Sequence, residues 1–222
     1  MSNTAVPKVT QLLPPEELAV IQSLATRRKY RDGEIIHERG DNQPEIGIVI
    51  SGRIKLIYPR SSGQDVFSGL IHTGQNYGDV AVLYQQERPQ HRAVAIGDTV
   101  VDHIVGDTFN RLLERPAIVE AFYRVASYRL AVALEMLDDM RMLAPDVRLA
   151  KLIIRMHNAA GGTERLAFIQ EDFASILGIS SVTLAKSLRE LKQQGLVATK
   201  YRHLVIMDLA RLKAWVREKD PD

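Results

Sequence analysis

Ten of the fourteen glycines fall between Gly33 and Gly106, at Gly33, Gly40, Gly47, Gly52, Gly63, Gly69, Gly74, Gly78, Gly97 and Gly106. Short β-rich pieces run between them, over residues 34–37, 46–50, 53–58, 93–96 and 99–104. Short strands punctuated by turn residues at intervals of roughly 8–12 residues predict a β-sandwich or barrel. A short helix over about residues 15–25 precedes it, with Pro14 and Pro15 at its first turn.

From residue 115 to 143 the period turns helical, with no internal glycine. Val119, Tyr123, Ala126, Leu130, Ala133, Leu137, Met140 and Ala144 alternate steps of four and three, and none is charged. That is a heptad seam. A second stripe, Phe122, Val125, Val132, Met136 and Leu143, lies beside it. One helix with two apolar faces has two things to pack against. Either it is buried within a monomer, or the second stripe meets its own barrel and the seam meets a partner copy. Small residues at Ala126 and Ala133 permit close helix approach and favour the partner.

The chain of 222 residues is long enough for two small domains, and its charged and apolar fractions, 25% and 45%, are those of a globular protein. Zero cysteines exclude disulfides, thiolate-held iron–sulfur clusters, thiolate zinc and a cysteine nucleophile. The six histidines, His37, His72, His91, His103, His157 and His203, show no metal-like spacing, so no metal is expected. No apolar stretch approaches the roughly 18 residues of a membrane span, and residues 1–10 do not read as a secretory signal. A cytoplasmic location with no membrane partner is expected. No His/Asp/Ser constellation, phosphate loop or paired acids in a pocket context points to an enzyme.

The net charge of +2 hides an asymmetry. Residues 1–144 carry 16 Lys/Arg against 18 Asp/Glu, and residues 145–222 carry 13 against 9. A basic end on a neutral body fits a polyanionic partner, although solvated helices are often this basic.

Ala144-Pro145-Asp146 breaks the long helix, and the aspartate is placed to cap the next, over residues 147–158. Residues 170–177 then form a short helix with acids in its first turn. Gly178-Ile179-Ser180 follows: a stop, an apolar plug and a capping serine. A second helix covers residues 181–193 and is stopped by Gly195. At 100° per residue, Leu184, Leu188 and Leu191 point one way, and Val182, Lys186, Arg189 and Gln193 point almost opposite. Short helix, glycine turn and a second helix with a polar, basic outer face form a helix-turn-helix, whose second helix enters the DNA major groove. A helical hairpin that binds only protein is the competing reading. Residues 196–199 and 204–207 flank Lys200-Tyr201-Arg202-His203 as a hairpin whose basic tip would touch phosphates as a wing.

Glycine-rich β-roll, long helix, hinge and winged helix-turn-helix together resemble the Crp/Fnr family of bacterial transcription regulators. The resemblance is carried by Gly33, Gly40-Asp41, Ile50-Ser51-Gly52-Arg53-Ile54-Lys55-Leu56, Gly74, Gly78-Asp79, Leu177-Gly178-Ile179-Ser180 and Gly195-Leu196-Val197, in this order along nearly the whole chain. It implies an α+β chain: an N-terminal double-stranded β-helix (a jelly-roll-like β-roll) as sensor over residues 1–114, a dimerisation helix and hinge over 115–144, and a winged helix-turn-helix over 145–222. It also implies a homodimer on a palindromic double-stranded DNA operator, in contact with RNA polymerase. The expected DNA-binding residues are Gln170, Ser180, Ser181, Val182, Thr183, Lys186, Arg189, Lys200 and Arg202.

The chain departs from the family at two places. In the cyclic-nucleotide-binding members a Gly-Glu pair meets the ribose and an Arg-Ser or Arg-Thr pair holds the cyclic phosphate. Here Gly78-Asp79 matches with a shorter acid, but the phosphate-holding pair falls on Pro89-Gln90, so the usual cyclic-AMP site is not matched. A pocket walled by Gly78, Asp79, Arg88, His91, Arg92 and Arg129 is expected to take a cyclic nucleotide or another small anion, or to be filled by its own side chains. Arg129 falls where the family carries an arginine facing the pocket; it either pairs with Asp79 or is solvated. In the second helix the family's Arg-Glu-Thr-(Val/Ile)-x-Arg run reads Ser181-Val182-Thr183-Leu184-Ala185-Lys186. The glutamate that reads cytosine and the arginine that reads guanine are Val182 and Lys186, so the usual half-site is not expected. The reading is a DNA-binding regulator controlled by an unidentified effector or by none. The alternative is a cyclic-nucleotide-binding interaction module whose basic end binds protein or membrane.

Overall fold

The computed structural model describes residues 7–41, 44–59, 65–84 and 91–221. The chain divides into two compact units that meet in sequence between Arg129 and Leu130.

The first unit opens with α1 (Val9–Leu12) and α2 (Pro15–Leu24), then β1 (Thr26–Tyr30), β2 (Ile35–His37), β3 (Glu45–Pro59), β4 (Asp65–His72) and β5 (Asn76–Tyr77). After α3 (Asp79–Leu83) come β6 (Arg92–Val105), α4 (Gly106–Leu112) and the start of α5 (Pro116–Met142). Among the described residues the strands form one antiparallel sheet in the order β1-β6-β3-β4, with β2 added on β6 and β5 on β3. This is the β-roll expected of the glycine-rich region.

Two of its strands are longer than the sequence predicts. Residues 46–50 and 53–58 belong to a single strand, β3, and residues 93–96 and 99–104 to a single strand, β6. Gly52, at φ 84°, sits where the β3–β6 register shifts twice, between Val49 and Ser51 and again between Ser51 and Arg53. The glycine therefore makes a bulge that bends the strand rather than a turn that ends it. β1 escapes prediction because four of its five residues are exposed and three are cationic. That composition suits the edge of a sheet, where charge discourages pairing with other chains. At Gly47, paired with Tyr77 on one side and His103 on the other, an added Cβ would overlap the Tyr77 ring.

The core of this unit packs Ile46, Ile48, Ile104 and Phe109 against Ile118, Phe122 and Val125 of α5. Phe109 and Phe122 meet edge-on at 4.7 Å between ring centroids. Each such side chain contributes about 1.5–3 kcal/mol by leaving water. The second apolar stripe of α5 thus faces its own barrel in this half of the helix.

The second unit contains the rest of α5, then α6 (Pro145–Ala159), β7 (Arg165–Ala167), α7 (Gln170–Leu177), α8 (Ser181–Gln193), β8 (Val197–Lys200), β9 (His203–Ile206) and α9 (Leu209–Lys219). Its small sheet has the order β7-β9-β8. Leu149, Ile153, Phe173, Leu184, Leu191, Leu204 and Leu212 are wholly or almost wholly buried at its centre. Asp146 is not the cap of α6: Ala144 holds that position, Pro145 starts the helix, and Asp146 lies in the first turn where the dipole favours an acid. α9 is capped by Asp208, whose carboxylate accepts from the Arg211 amide at 2.9 Å. No helix among the described residues is long and apolar enough to cross a membrane.

Candidate nucleic-acid interface and effector site

Local chemistry fixes the angle between α7 and α8. α7 ends on Gly178 in the left-handed conformation at φ 62°, which a residue with a Cβ adopts only at a cost. The Ile179 amide donates to the Ala174 carbonyl at 3.0 Å and seats the plug side chain against the core. Ser180 then caps α8, its hydroxyl accepting from the Thr183 amide at 3.1 Å and lying 2.9 Å from the Thr183 hydroxyl. Two arginines that the sequence pattern does not single out complete the motif. Arg148 donates to the Leu177 carbonyl at 3.1 Å, and Arg211 to the Gln194 carbonyl at 3.2 Å. Each guanidinium satisfies a terminal carbonyl and offsets the negative end of the helix it touches.

With Leu184, Ser187, Leu188 and Leu191 buried, α8 presents Ser181, Val182, Ala185, Lys186, Arg189 and Gln193 to solvent. Val182 is 81% exposed, an apolar side chain on the otherwise polar outer face. Gln170 is exposed at the start of α7. Ile169, which precedes it, supplies no side-chain cap. In the hairpin, Lys200 and His203 are paired strand residues, so the turn itself is Tyr201-Arg202 rather than four residues. Lys200, Tyr201 and Arg202 are all exposed, Tyr201 at 87%. Arg202 has φ 55°, and holding a non-glycine residue there costs roughly 1–2 kcal/mol.

In the β-roll, Gly78 takes φ 83° directly before α3, and a Cβ there would strike the Glu45 carbonyl. The next residue, Asp79, is buried, and Arg129 Nη1 donates to its two oxygens at 2.7 and 2.8 Å. Arg129 Nη2 also donates to the Asn76 carbonyl at 2.5 Å. With its guanidinium on both Asp79 oxygens, Arg129 is paired rather than solvated, although one third of its side chain is exposed. Arg92 is engaged elsewhere, donating to Glu38 at 2.7 Å and to Asp65 at 3.4 Å. His91 meets the Tyr58 ring edge-on at 5.9 Å. Arg88, Pro89 and Gln90 lie outside the described residues.

A polar cluster inside the roll went unread in the sequence because its members are far apart along the chain. His103, buried in β6, lies 2.5 Å from Glu45 through Nδ1 and 2.9 Å from the Tyr30 hydroxyl through Nε2. His37 stacks on Tyr77 at 5.6 Å. The Tyr77 hydroxyl is raised well above its ordinary range, first by burial and then by the nearby Glu45 carboxylate. Among the described residues, no three His, Asp or Glu side chains are grouped to hold a metal ion.

A β-roll together with a winged helix-turn-helix defines a transcription regulator with a DNA-binding domain. Models of two domain families match: the cyclic nucleotide-binding domain over residues 27–116 and the Crp-like helix-turn-helix domain over residues 147–215. The chain is 26% identical over 186 residues to the cyclic AMP receptor protein of Thermus thermophilus, covering 83% of this chain and 85% of that one. It is 22% identical over 211 residues to a CRP-like cAMP-activated global transcriptional regulator of Mycobacterium tuberculosis, covering 92% and 94%. Among solved structures, the c-di-GMP-responsive global regulator of Xanthomonas campestris has the same fold, with a TM-score of 0.75 at 16% identity over 88% of this chain and 100% of that one. The chain belongs to the Crp/Fnr family of transcription regulators. The helix-turn-helix match favours the regulator over the interaction module.

Proposed function

We propose that the chain acts in the cytoplasm as a homodimer that reads a palindromic operator and contacts RNA polymerase there. The observation that carries the DNA reading is the outer face of α8, where Val182, Lys186 and Arg189 stand exposed opposite a wholly buried leucine face. Residues 145–222 form the DNA-binding part, with Gln170, Ser180, Ser181, Thr183 and Lys200 toward the phosphate backbone, Val182, Lys186 and Arg189 toward the bases, and Arg202 at the tip of the wing. Dimerisation falls to α5 within residues 115–144. Support comes from exposure: Val119, Tyr123, Leu130, Leu137 and Met140 all stand out from the helix, Tyr123 at 70%. Ala126 and Ala133 between them leave room for a second helix.

Residues 1–114 are the sensor. Similar proteins are named for cyclic AMP and cyclic di-GMP, but here Arg129 already satisfies both oxygens of Asp79. An effector that used Asp79 would have to displace Arg129, and the cyclic-phosphate pair is replaced by Pro89 and Gln90. We read the chain as independent of cyclic AMP, with a different small anion or no effector at all. Selection of binding sites from random DNA tests this, run alone and with cyclic AMP, cyclic GMP and cyclic di-GMP. A palindrome enriched equally with and without cyclic AMP is expected. Enrichment only when cyclic AMP is present, or micromolar cyclic-AMP binding by calorimetry, would refute the effector reading.

A further inference from the structure

Arg202 is the one non-glycine residue with positive φ among the described residues, at 55°. Glycine or asparagine is the ordinary occupant of such a hairpin position, because an L side chain there crowds its own backbone. The surrounding structure holds the turn in place. The Arg202 carbonyl accepts from the Phe168 amide at 3.0 Å, and the Tyr201 carbonyl lies 3.0 Å from Nδ1 of His203. The guanidinium stands 6.0 Å from the Tyr201 ring centroid and makes no ion pair among the described residues. Residues held in sparsely populated backbone regions by the structure around them cluster at binding sites. A simple phosphate contact does not call for this, since the neighbouring Lys200 supplies a cation from ordinary strand geometry.

We propose that Arg202 enters the DNA minor groove and reads its width, so that the operator prefers A·T-rich sequence at positions α8 does not touch. The proposal rests on the DNA-binding reading of α8 and wing, and narrows it to one residue. A narrow A-tract minor groove concentrates negative potential between its two phosphate rows and attracts an inserted cation. A guanidinium is the better occupant, because it is planar and gives up its hydration more readily than an ammonium. A tip already fixed in the free protein loses little further freedom on insertion. On this proposal Lys200 keeps the phosphate contact expected of the wing, and Arg202 takes the groove instead.

The test uses the full chain and one selected operator with three kinds of flanking sequence under the wing: A·T, G·C and inosine·cytosine. Inosine keeps the major-groove edge of guanine and lacks its minor-groove amino group. Fluorescence anisotropy should show the wild type binding A·T and inosine·cytosine flanks roughly five- to tenfold more tightly than G·C flanks. Arg202→Lys should keep most of the overall affinity yet bind all three flanks alike, and Arg202→Ala and Arg202→Gly should lose the preference equally. Thermal melting checks that each variant is folded. The proposal is overturned if Arg202→Lys keeps the flank preference, if Arg202→Ala weakens all three duplexes alike without changing it, or if the wild type has no preference. A wild type that bound no selected duplex would overturn the assignment of α8 as well, which distinguishes the two failures.

Discussion

The ammonium of Lys151 on α6 donates to the Asp139 carboxylate on α5 at 2.6 Å, with only 5% and 10% of the two side chains exposed. Asp220, just beyond α9, accepts from the same ammonium at 2.8 Å, while Glu135 and Arg155 extend the network at the rim. Burial works against the Lys151 charge, but the hydrogen bonds to Asp139 and Asp220 outweigh it and hold its pKa above the ordinary lysine value. Lys151→Met should leave Asp139 buried with Arg155 alone and cost about 3 kcal/mol, near the lower end for a broken buried pair. Lys151→Met/Asp139→Leu should regain most of that loss. Urea denaturation followed by the single tryptophan, Trp215, measures both, and a double variant no more stable than the single one would contradict this account.

The seam predicts how dimers come apart. Ala133→Asp/Leu137→Lys places charges on two exposed positions of α5, so the subunit itself should change in stability by less than about 0.5 kcal/mol. Sedimentation should nevertheless show monomers at concentrations where the wild type is dimeric. A dimer that survives both charges would move the interface off this face.

These expectations show what the sequence makes legible. Helix boundaries around the turn at Gly178 can be read residue by residue, because capping and glycine chemistry act within a few positions: α7 and α8 begin and end where the local signals place them. The roll is less legible. Gly52 and Gly97 look like turns in one dimension, yet they bend continuous strands, and only the pairing of β3 with β6 distinguishes bulge from turn. The sequence leaves Arg129 either paired with Asp79 or solvated, since a helix pattern cannot say which flank of a seam is covered. The Lys151 network and the His103–Glu45–Tyr30 cluster join residues separated by 12 to 73 positions or are made by strand pairing, and local pattern carries no trace of them.

On DNA, Lys186→Ala should change which bases are preferred within the half-site and cost about 1–3 kcal/mol. An ammonium donates to guanine O6 or N7 without the two-pronged geometry of arginine, so discrimination at that base pair should be moderate from the start. Lys200→Ala should weaken all sequences alike and reduce the slope of log affinity against log salt by about one. Anisotropy titrations on a set of single-base operator variants at several salt concentrations measure both. If Lys186→Ala left the base preferences unchanged, α8 would not be the reader.

Acid should loosen the roll. Burial lowers the pKa of His37 against the opposing pull of Glu45 and Asp41; it lowers His72 together with Arg53 and Lys8, and His91 together with Arg39. A histidine depressed in the fold is neutral there, while the unfolded chain takes up its proton near pH 6.5. The stability it contributes is therefore complete above about pH 6.5 and falls as pH drops from that value toward the lower folded value. Melting temperatures measured by circular dichroism from pH 7.5 to 5 should decline, and His37→Gln should make the decline shallower. A flat profile in the wild type would mean that these imidazoles stay solvated.

Gly47 and Tyr77 share one volume within the sheet, since any side chain at 47 would occupy the phenol ring's place. Position 47 therefore cannot take a side chain while the Tyr77 ring keeps its place. Alanine or larger at Gly47 requires the Tyr77 ring to move or be lost, and a single replacement at Gly47 in this chain would displace β5. Because β5 leads through Gly78 into Asp79, such a change would travel by two residues of backbone into the acid that Arg129 holds. A glycine within β3 is thus coupled, through the backbone of β5, to the Asp79–Arg129 pair.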